Sequence, residues 1–178
     1  MARVIDPLVI GKVIWDVLDV FVPKIDMSVT YAGKDIITGC DLKPSIIADP
    51  PIIKISGKCN ELFTLVMIDP DSPSPCHFNM REFVHWIVVN IPGGGDLTKG
   101  EEMVPYLAPK PQVGIHRFVF VLFQQKGPLH SISELSSRAN FKTRDYSRVH
   151  DLGPPVAAAF FNCRREPHGR NLKVKATR

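Results

Sequence analysis

Three prolines fall within residues 69–75, DPDSPSP, directly after the apolar run at residues 63–68. Each proline fixes its backbone φ angle and lacks an amide donor, so the segment is predicted to leave a strand as a rigid, extended turn. Such a turn holds the carboxylates of Asp69 and Asp71 still at the end of a strand, where loop side chains commonly shape polar cavities. This short segment therefore constrains both the fold and the position of a site.

The chain has the length and composition of one globular domain. Its 178 residues are 44% hydrophobic and 22% charged, and no apolar stretch approaches the roughly 18 residues that span a membrane. We expect one soluble, cytosolic domain over residues 1–166, without a secretory signal. Residues 164–178 carry six basic side chains and one acidic side chain. Residues 167–178 are therefore predicted to form a basic, flexible tail, which is not a DNA-binding element.

Local sequence patterns predict a mainly β fold. Apolar residues at helical spacing between Val9 and Leu18, behind the pair Asp6-Pro7, predict one N-terminal amphipathic helix. Runs rich in β-branched and aromatic residues predict strands at residues 27–31, 52–55, 62–68, 83–91, 117–123 and 155–163. A short late helix is predicted, with Thr143 as its cap. Strands and helices do not alternate, which indicates an antiparallel two-sheet β-sandwich with a few short peripheral helices.

Two histidines lie in predicted strands. Because side chains alternate between the faces of a strand, His85 is expected to share a face with Phe83 and Ile87, and His116 with two phenylalanines. A single histidine on an apolar face is usually a core residue with a hydrogen-bond partner. Two histidines beside two rigidly held carboxylates, walled by aromatic rings, instead favour anion capture, with the acids orienting the imidazoles. The loop at residues 108–111 is expected to form the rim.

The same residues allow two other kinds of site. Two histidines and an aspartate can bind a metal, but their spacing is not that of a helical HExxH motif. Ser72 or Ser74 can act as a nucleophile beside a histidine, but no GxSxG elbow is present and a proline-rich loop has few free amides for an oxyanion hole. The four cysteines are widely spaced and never form a CxxC pair, so they are predicted to be free thiols.

Longer motifs in the chain resemble a known family. The run DPDSPSP, the pair His85-Trp86 and the run GIHR at residues 114–117 are similar to the signature of the phosphatidylethanolamine-binding protein family. The resemblance covers about residues 5–166, and DLGPPVAA at residues 151–158 is similar to the plant branch that contains the flowering regulators. Within that branch the sequence is most similar to the MOTHER OF FT clade. Phe83 lies at the position that distinguishes the clades, and it offers no polar atom for a hydrogen-bonding switch.

The resemblance implies an antiparallel β fold with an anion pocket and no enzymatic turnover, cofactor or metal. The implied pocket residues are Asp69, Asp71, Pro73, His85, Pro109, His116 and Phe118. Phe118 lies where many animal members carry Tyr, so a hydroxyl that can meet a phosphate is absent. The implied ligand is phosphate or a phospholipid head group.

The resemblance also implies protein partners. Family members of the florigen type dock 14-3-3 proteins and, through them, bZIP transcription factors. On the corresponding surface Thr64 and Pro92 match, whereas Asn60, Lys99 and Pro128 replace Arg, Phe and Arg respectively. The loss of two cations and an aromatic anchor is expected to weaken that interface.

Two hypotheses about function follow from the resemblance. The first is a non-enzymatic regulatory adaptor in the cytoplasm and nucleus, which acts with transcription factors in plant developmental control such as flowering, seed germination and the response to abscisic acid. The second is a phospholipid or small-anion carrier, in which ligand binding in the pocket is the primary function.

Overall fold

The computed structural model describes residues 6–130 and 135–166, which form two β-sheets and a few short helices. The predicted fold class is confirmed, whereas the predicted tail at residues 167–178 lies outside the described residues. The strands are β1 Met27–Tyr31, β2 Lys34–Asp35, β3 Cys40–Leu42, β4 Ile52–Ile55, β5 Leu62–Asp69, β6 Phe83–Pro92, β7 Glu101–Val104, β8 Ile115–Gln125 and β9 Ala157–Arg164. The helices are α1 Pro7–Ile10, α2 Val13–Asp16, α3 Thr143–Val149 and a 3-10 turn at Leu97–Lys99.

The larger sheet has six strands in the order β3-β9-β8-β5-β6-β7, and the smaller sheet has three in the order β2-β1-β4. All the strand pairs are antiparallel except β3 with β9, which is a parallel pair that the sequence analysis did not predict. One apolar core fills the space between the sheets, with residues such as Val29, Ile53, Leu65 and Phe161. A second core lies on the outer face of the larger sheet, below the N-terminal segment and α3.

The two cores explain why the central strands read as apolar runs without clear alternation. In β5, seven of the eight residues are buried, because the larger sheet is covered on both faces. A strand that is buried on both faces needs apolar side chains at consecutive positions. The strands predicted at residues 62–68, 83–91 and 117–123 are confirmed by β5, β6 and β8 on this basis.

The prediction of one N-terminal helix is wrong. The segment forms two four-residue turns, α1 and α2, which are separated at Gly11 and Lys12, and Lys12 has a left-handed conformation. The chain passes so close to the larger sheet at Gly11 that an added Cβ atom would lie 2.2 Å from the ring of Phe160. An isolated helix of this length is only marginally stable, so tertiary contacts override the periodicity. The start was correctly predicted, since Asp6 Oδ1 accepts a hydrogen bond of 2.9 Å from the amide of Leu8.

The late helix starts one residue earlier than its predicted cap implies. Thr143 is the first residue of α3 and Lys142 is the cap residue. The carboxylate of Glu82, next to β6, accepts a hydrogen bond of 2.9 Å from the amide of Thr143 and another from its hydroxyl. Burial raises the pKa of Glu82. A side chain distant in sequence thus replaces the local cap.

Within residues 6–130 and 135–166 no helix is long and apolar enough to cross a membrane. Cys40, Cys59, Cys76 and Cys163 are free thiols, as predicted. The Cys163 thiol is buried, which raises its pKa to about 12.

Candidate anion-binding site

The loop at residues 69–75 begins where β5 ends, and it starts with a tight turn. Asp69 Oδ1 accepts a hydrogen bond of 2.8 Å from the amide of Asp71, as in the Asx turns that commonly start loops. The peptide bond between Ser72 and Pro73 is cis. Asp69 Oδ2 lies 2.7 Å from Nδ1 of His116 on the neighbouring strand β8. The loop therefore brings one of its carboxylates directly to a histidine, as the sequence analysis expected.

His116 has an acceptor at each ring nitrogen. Its Nδ1 faces Asp69 Oδ2 at 2.7 Å, and its Nε2 faces the carbonyl oxygen of Val113 at 3.0 Å. A neutral imidazole can donate from only one nitrogen, so both contacts are satisfied only when the ring is doubly protonated. Burial opposes this charge, but the hydrogen bond and the charge of Asp69 outweigh it and raise the pKa of His116. Asp69 and His116 thus form a buried ion pair.

His85 is the extra residue of a bulge in β6. The pairing with β5 passes from Trp86 to Val84 between consecutive residues of β5, so His85 has no partner there. A bulge of one residue reverses the alternation of faces. The prediction that His85 shares a face with Ile87 is therefore wrong, because Ile87 packs with Val84 in the outer core. The predicted proximity to Phe83 is confirmed, since the two ring centroids are 5.2 Å apart.

The imidazole of His85 has one nitrogen available. Its Nδ1 lies 2.6 Å from the carbonyl oxygen of Leu107 and must donate to it. Its Nε2 makes no hydrogen bond within the described part of the chain. Burial lowers the pKa of His85, although the Leu107 carbonyl and the charge of Asp69 act in the opposite direction. The neutral ring therefore presents an acceptor at Nε2, which becomes a donor when the ring is protonated.

Both histidines line an open cavity of about 320 Å³. The side chains around it are Asp69, Ser72, Pro73, Met80, Phe83, His85, Leu107, Ala108, Lys110, Pro111, Gln112, His116 and Phe118. The ring of Phe118 meets that of His85 edge-on, with centroids 5.1 Å apart. Two other clefts, of about 230 and 300 Å³, contain neither histidine. The cavity thus combines a buried ion pair, a neutral histidine, one lysine at its rim and aromatic walls.

Most of the predicted pocket residues meet at this cavity, but two do not. Asp69, Pro73, His85, His116 and Phe118 line it, together with Phe83. Asp71 and Pro109 are buried and do not line it. The rim loop was expected to contribute Pro109, but the residues of this loop that line the cavity are Ala108, Lys110 and Pro111. Met80, Leu107 and Gln112 also line the cavity but were not predicted, because they lie in loops without a local motif.

Asp71 belongs instead to an ion cluster on another side of the loop. Its carboxylate accepts hydrogen bonds of 2.8 and 2.7 Å from Nε and Nη2 of Arg117, and one of 2.9 Å from the Arg117 amide. Arg117 also contacts Asp16 at 2.9 Å and the Gly11 carbonyl oxygen at 2.8 Å. Burial opposes ionisation of Asp71, but Arg117 outweighs it and lowers the pKa of Asp71. This bidentate pair ties the loop to β8 and to the N-terminal segment.

The described residues contain neither a cluster of metal ligands nor a serine hydrogen-bonded to either cavity histidine. In the described ranges, no three His, Cys, Asp or Glu side chains are placed to hold a metal ion. Ser72 lines the cavity, but neither it nor Ser74 is hydrogen-bonded to His85 or His116, whose ring partners are Leu107, Val113 and Asp69.

The residues of the implied partner surface differ in exposure. Asn60, Lys99 and Pro128 are exposed, and Pro92 is half-buried. Thr64 is completely buried, and its hydroxyl donates a hydrogen bond of 2.9 Å to Oε1 of Gln125. The expectation that Thr64 contributes to a surface is therefore wrong, because no partner can touch this side chain directly.

The family is decided by comparison with known proteins. The family described as phosphatidylethanolamine-binding protein matches residues 24–161, more than half of the chain. The chain belongs to the phosphatidylethanolamine-binding protein family. The matched region contains the strands β5, β6 and β8 and the loops between them, and therefore includes all the cavity residues.

The relatives of this family member include plant proteins. It is 52% identical over 172 residues to Protein MOTHER of FT and TFL1 homolog 2 of Oryza sativa subsp. japonica, which covers 96% of this chain and 99% of that protein. It is 48% identical over 169 residues to Protein TERMINAL FLOWER 1 of Arabidopsis thaliana, with coverages of 94% and 96%. The predicted family and plant clade are confirmed.

A solved structure supports the fold. The phosphatidylethanolamine-binding protein from Plasmodium vivax superposes with a TM-score of 0.77 at 26% identity, covering 90% of this chain and 96% of that one. The two-sheet architecture is therefore shared with a distant family member.

Proposed function

We propose that this protein is a non-enzymatic regulator of plant development that acts as an adaptor for transcription factors. The support is its near full-length similarity to plant proteins named for MOTHER of FT and TFL1 and for TERMINAL FLOWER 1. The similarity covers at least 96% of the length of each relative. The comparison therefore applies to each relative as a whole and not to one of its parts. On the support of the MOTHER of FT resemblance, we also propose a role in seed germination and the response to abscisic acid, and action in both cytoplasm and nucleus.

The second part of the proposal is that the cavity binds an anion, either phosphate or a phospholipid head group. The observation that carries it is Nε2 of His85, which has no partner in the described residues and lies in a cavity rimmed by Lys110. Asp69 is already neutralised by His116 at 2.7 Å, so its charge repels an anion less than a free carboxylate would. An anion at Nε2 favours the protonated form of His85, which then donates a charge-assisted hydrogen bond.

The small number of cationic donors in the cavity limits its affinity for inorganic phosphate. Phe83 and Phe118 offer no hydrogen-bond donors, so His85 and Lys110 are the principal cationic donors to an anion. Two such contacts are consistent with weak binding, on the order of a millimolar to a tenth of a millimolar for inorganic phosphate. The apolar surface of the rings favours ligands that carry an apolar body beside the anionic group.

The test of anion binding is phosphate titration by calorimetry at pH 5.5 and pH 7.5. The wild type is expected to bind more tightly at the lower pH, because protonation of His85 and binding of the anion favour each other. H85A should lose both the binding and its pH dependence. H130A is the matched control, since His130 is exposed and outside the cavity. Equal titrations for the wild type and H85A would exclude this use of the cavity.

The carrier hypothesis is favoured by the apolar walls, and vesicles separate it from simple phosphate binding. Vesicles of phosphatidylethanolamine or phosphatidylcholine should be depleted of lipid in the presence of the wild type if a whole lipid is the ligand. Binding of inorganic phosphate without lipid extraction would exclude a phospholipid carrier and leave the adaptor and the small-anion carrier.

The adaptor hypothesis is tested by native pull-down from plant tissue. We expect recovery of bZIP transcription factors, directly or through 14-3-3 proteins, at an affinity weakened by Asn60, Lys99 and Pro128. The triple replacement N60R, K99F and P128R restores the residues that the family resemblance implies and should increase recovery of 14-3-3 proteins. Recovery of neither class of protein by either version would argue strongly against the adaptor.

A further inference from the structure

The first residues of β6 have no strand partner on their outer edge. β7 pairs with β6 only at residues 87–89. Before that point the edge is covered by the segment that precedes α3. Glu82 and Phe141 exchange backbone hydrogen bonds of 3.0 and 2.9 Å, and the amide of Val84 donates to the carbonyl oxygen of Arg138 at 2.9 Å. The bulged His85 is thus held from outside by irregular chain segments rather than by a ladder of strand hydrogen bonds.

Arg138 closes this edge with its side chain. Its Nη1 donates to the carbonyl oxygens of His85 at 3.0 Å and of Val84 at 3.3 Å, and its Nη2 donates to the carbonyl oxygen of Pro105 at 2.8 Å. The amide of Leu107 also donates to the His85 carbonyl at 2.9 Å. Three acceptors on two separate segments need the planar fork of a guanidinium, which a lysine does not have.

The charge of Arg138 is influenced by Glu102 on β7 but is not paired with it. In residues 6–130 and 135–166 it forms no salt bridge, unlike Arg81, Arg117, Arg144 and Arg148. Its side chain is half-buried, so solvent screens its charge less than that of a fully exposed arginine. The cation opposes protonation of the neighbouring His85.

We propose that Arg138 is a positioning residue for the cavity. Its guanidinium clamps the backbone of the bulged His85 to the segment at residues 105–107, so that Nδ1 stays on the Leu107 carbonyl and Nε2 remains available to an anion. Its positive charge also adds to the burial of the ring in opposing protonation of His85 until the anion arrives. The functional part of this inference rests on the proposed anion binding, whereas the clamp itself does not.

The charged groups around His85 are consistent with this role. Asp69 at the end of β5 favours protonation of His85, whereas Arg138 and His116 oppose it. Lys110 lines the cavity from the rim loop. Asp69 acts on His85 more strongly than Arg138 does, and Arg138 more strongly than His116, so the two cations together oppose Asp69. Beside the burial of the ring, Arg138 therefore contributes to the pH range over which phosphate binding strengthens.

The test is an NMR titration of His85 in the wild type, R138Q, R138K and R148Q. In R138Q the pKa of His85 should rise and the amide resonance of Leu107 should shift, because both the charge and the fork are lost. R138K keeps the charge, so the pKa of His85 should stay near the wild-type value while the Leu107 resonance still shifts. R148Q removes an exposed guanidinium that is paired with Asp145, and it should change neither signal.

Phosphate titration of the same proteins links the clamp to binding. The pH below which phosphate binding strengthens should move upward in R138Q and stay in place in R148Q. If wild type binds no phosphate but the His85 pKa still moves in R138Q, the proposed function fails and the clamp stands. If the His85 pKa and the Leu107 resonance are unchanged in both Arg138 variants, the clamp itself is wrong.

Discussion

The two carboxylates of the loop at residues 69–75 are only two positions apart, yet they lie in two different electrostatic regions. Asp69 and His116 form a buried pair at the edge of an open cavity, beside a neutral histidine with one available nitrogen. Asp71 lies in the ion cluster with Arg117 and Asp16, where its oxygens receive three hydrogen bonds from Arg117 alone.

The difference lies in how completely each group is satisfied. In the ion cluster the guanidinium of Arg117 and the carboxylate of Asp71 match each other in geometry and charge, so few of their donors and acceptors remain available to a ligand. In the cavity the pKa values of the two histidines are shifted in opposite directions, since that of His116 is raised and that of His85 is lowered. The ion cluster therefore serves the stability of the fold, whereas the cavity leaves Nε2 of His85 without a partner in the described residues, as the proposed anion binding requires.

The largest expected effect comes from breaking the ion cluster. D71N leaves the guanidinium of Arg117 without its bidentate partner, and we expect a loss of about 3 kcal/mol in the free energy of unfolding. Urea denaturation measures it. D151N is the control, because Asp151 pairs with Lys126 on the surface, where such pairs contribute about 0.5 kcal/mol or less. A loss for D71N no larger than that for D151N would remove the distinction between the two regions.

The next effect comes from the buried pair in the cavity. H116Q should cost about 2 kcal/mol near pH 6, because it leaves the buried Asp69 without its charged partner. The raised pKa of His116 means that its contribution is complete below the ordinary value of 6.5 and is lost as the pH rises through the folded value. The stability difference between wild type and H116Q should therefore narrow at alkaline pH. A difference that is constant from pH 6 to pH 9 would show that His116 is not an ion-pair partner.

The opposite pH response is expected at His85. Its lowered pKa means that the wild type loses stability as the pH falls from the ordinary value of 6.5 through the folded value, because the unfolded chain takes up the proton first. H85Q cannot take up this proton, so its stability should fall less over the same interval. The difference in slope is at most about 1.4 kcal/mol per pH unit for one proton. Parallel stability curves for wild type and H85Q would contradict a buried, neutral His85.

The sequence was sufficient for six of the nine strands in the described residues and for much of the cavity, but not for the short strands β2, β3 and β7. Three particular residues show why it was not sufficient for the rest. The central strands were predictable because a strand covered on both faces needs consecutive apolar residues. The face of His85 was not, because a one-residue bulge reverses alternation without a mark in the local pattern. The role of Asp71 depends on Arg117, 46 positions later, and nothing in the DPDSPSP run distinguishes its two carboxylates. The buried state of Thr64 likewise depends on its distant partner Gln125.

The N-terminal segment was mispredicted for a related reason, since its contacts with the larger sheet replace helical hydrogen bonds. Gly11 and Asp16 are both bound by Arg117, so the ion cluster helps to hold this segment in place. Between them the chain adopts a left-handed conformation at Lys12 and a positive φ angle of 88°, with ψ at −51°, at Trp15. A bulky residue is rarely found there, and the strain is of order 1–3 kcal/mol.

The smallest expected effect is a gain in stability on relieving this strain. The Trp15 side chain is 65% exposed, so W15G forfeits little burial, while glycine adopts the same backbone without strain. After subtraction of the extra entropy that glycine has in the unfolded chain, we expect a gain of up to about 1 kcal/mol. K12G should gain less, because Lys12 at φ 55° and ψ 23° lies near the left-handed region that other residues tolerate. Thermal and urea unfolding compare the two variants.

If the ion cluster serves only the fold, W15G should leave phosphate binding unchanged. A change in phosphate affinity would couple the two regions and contradict their separation.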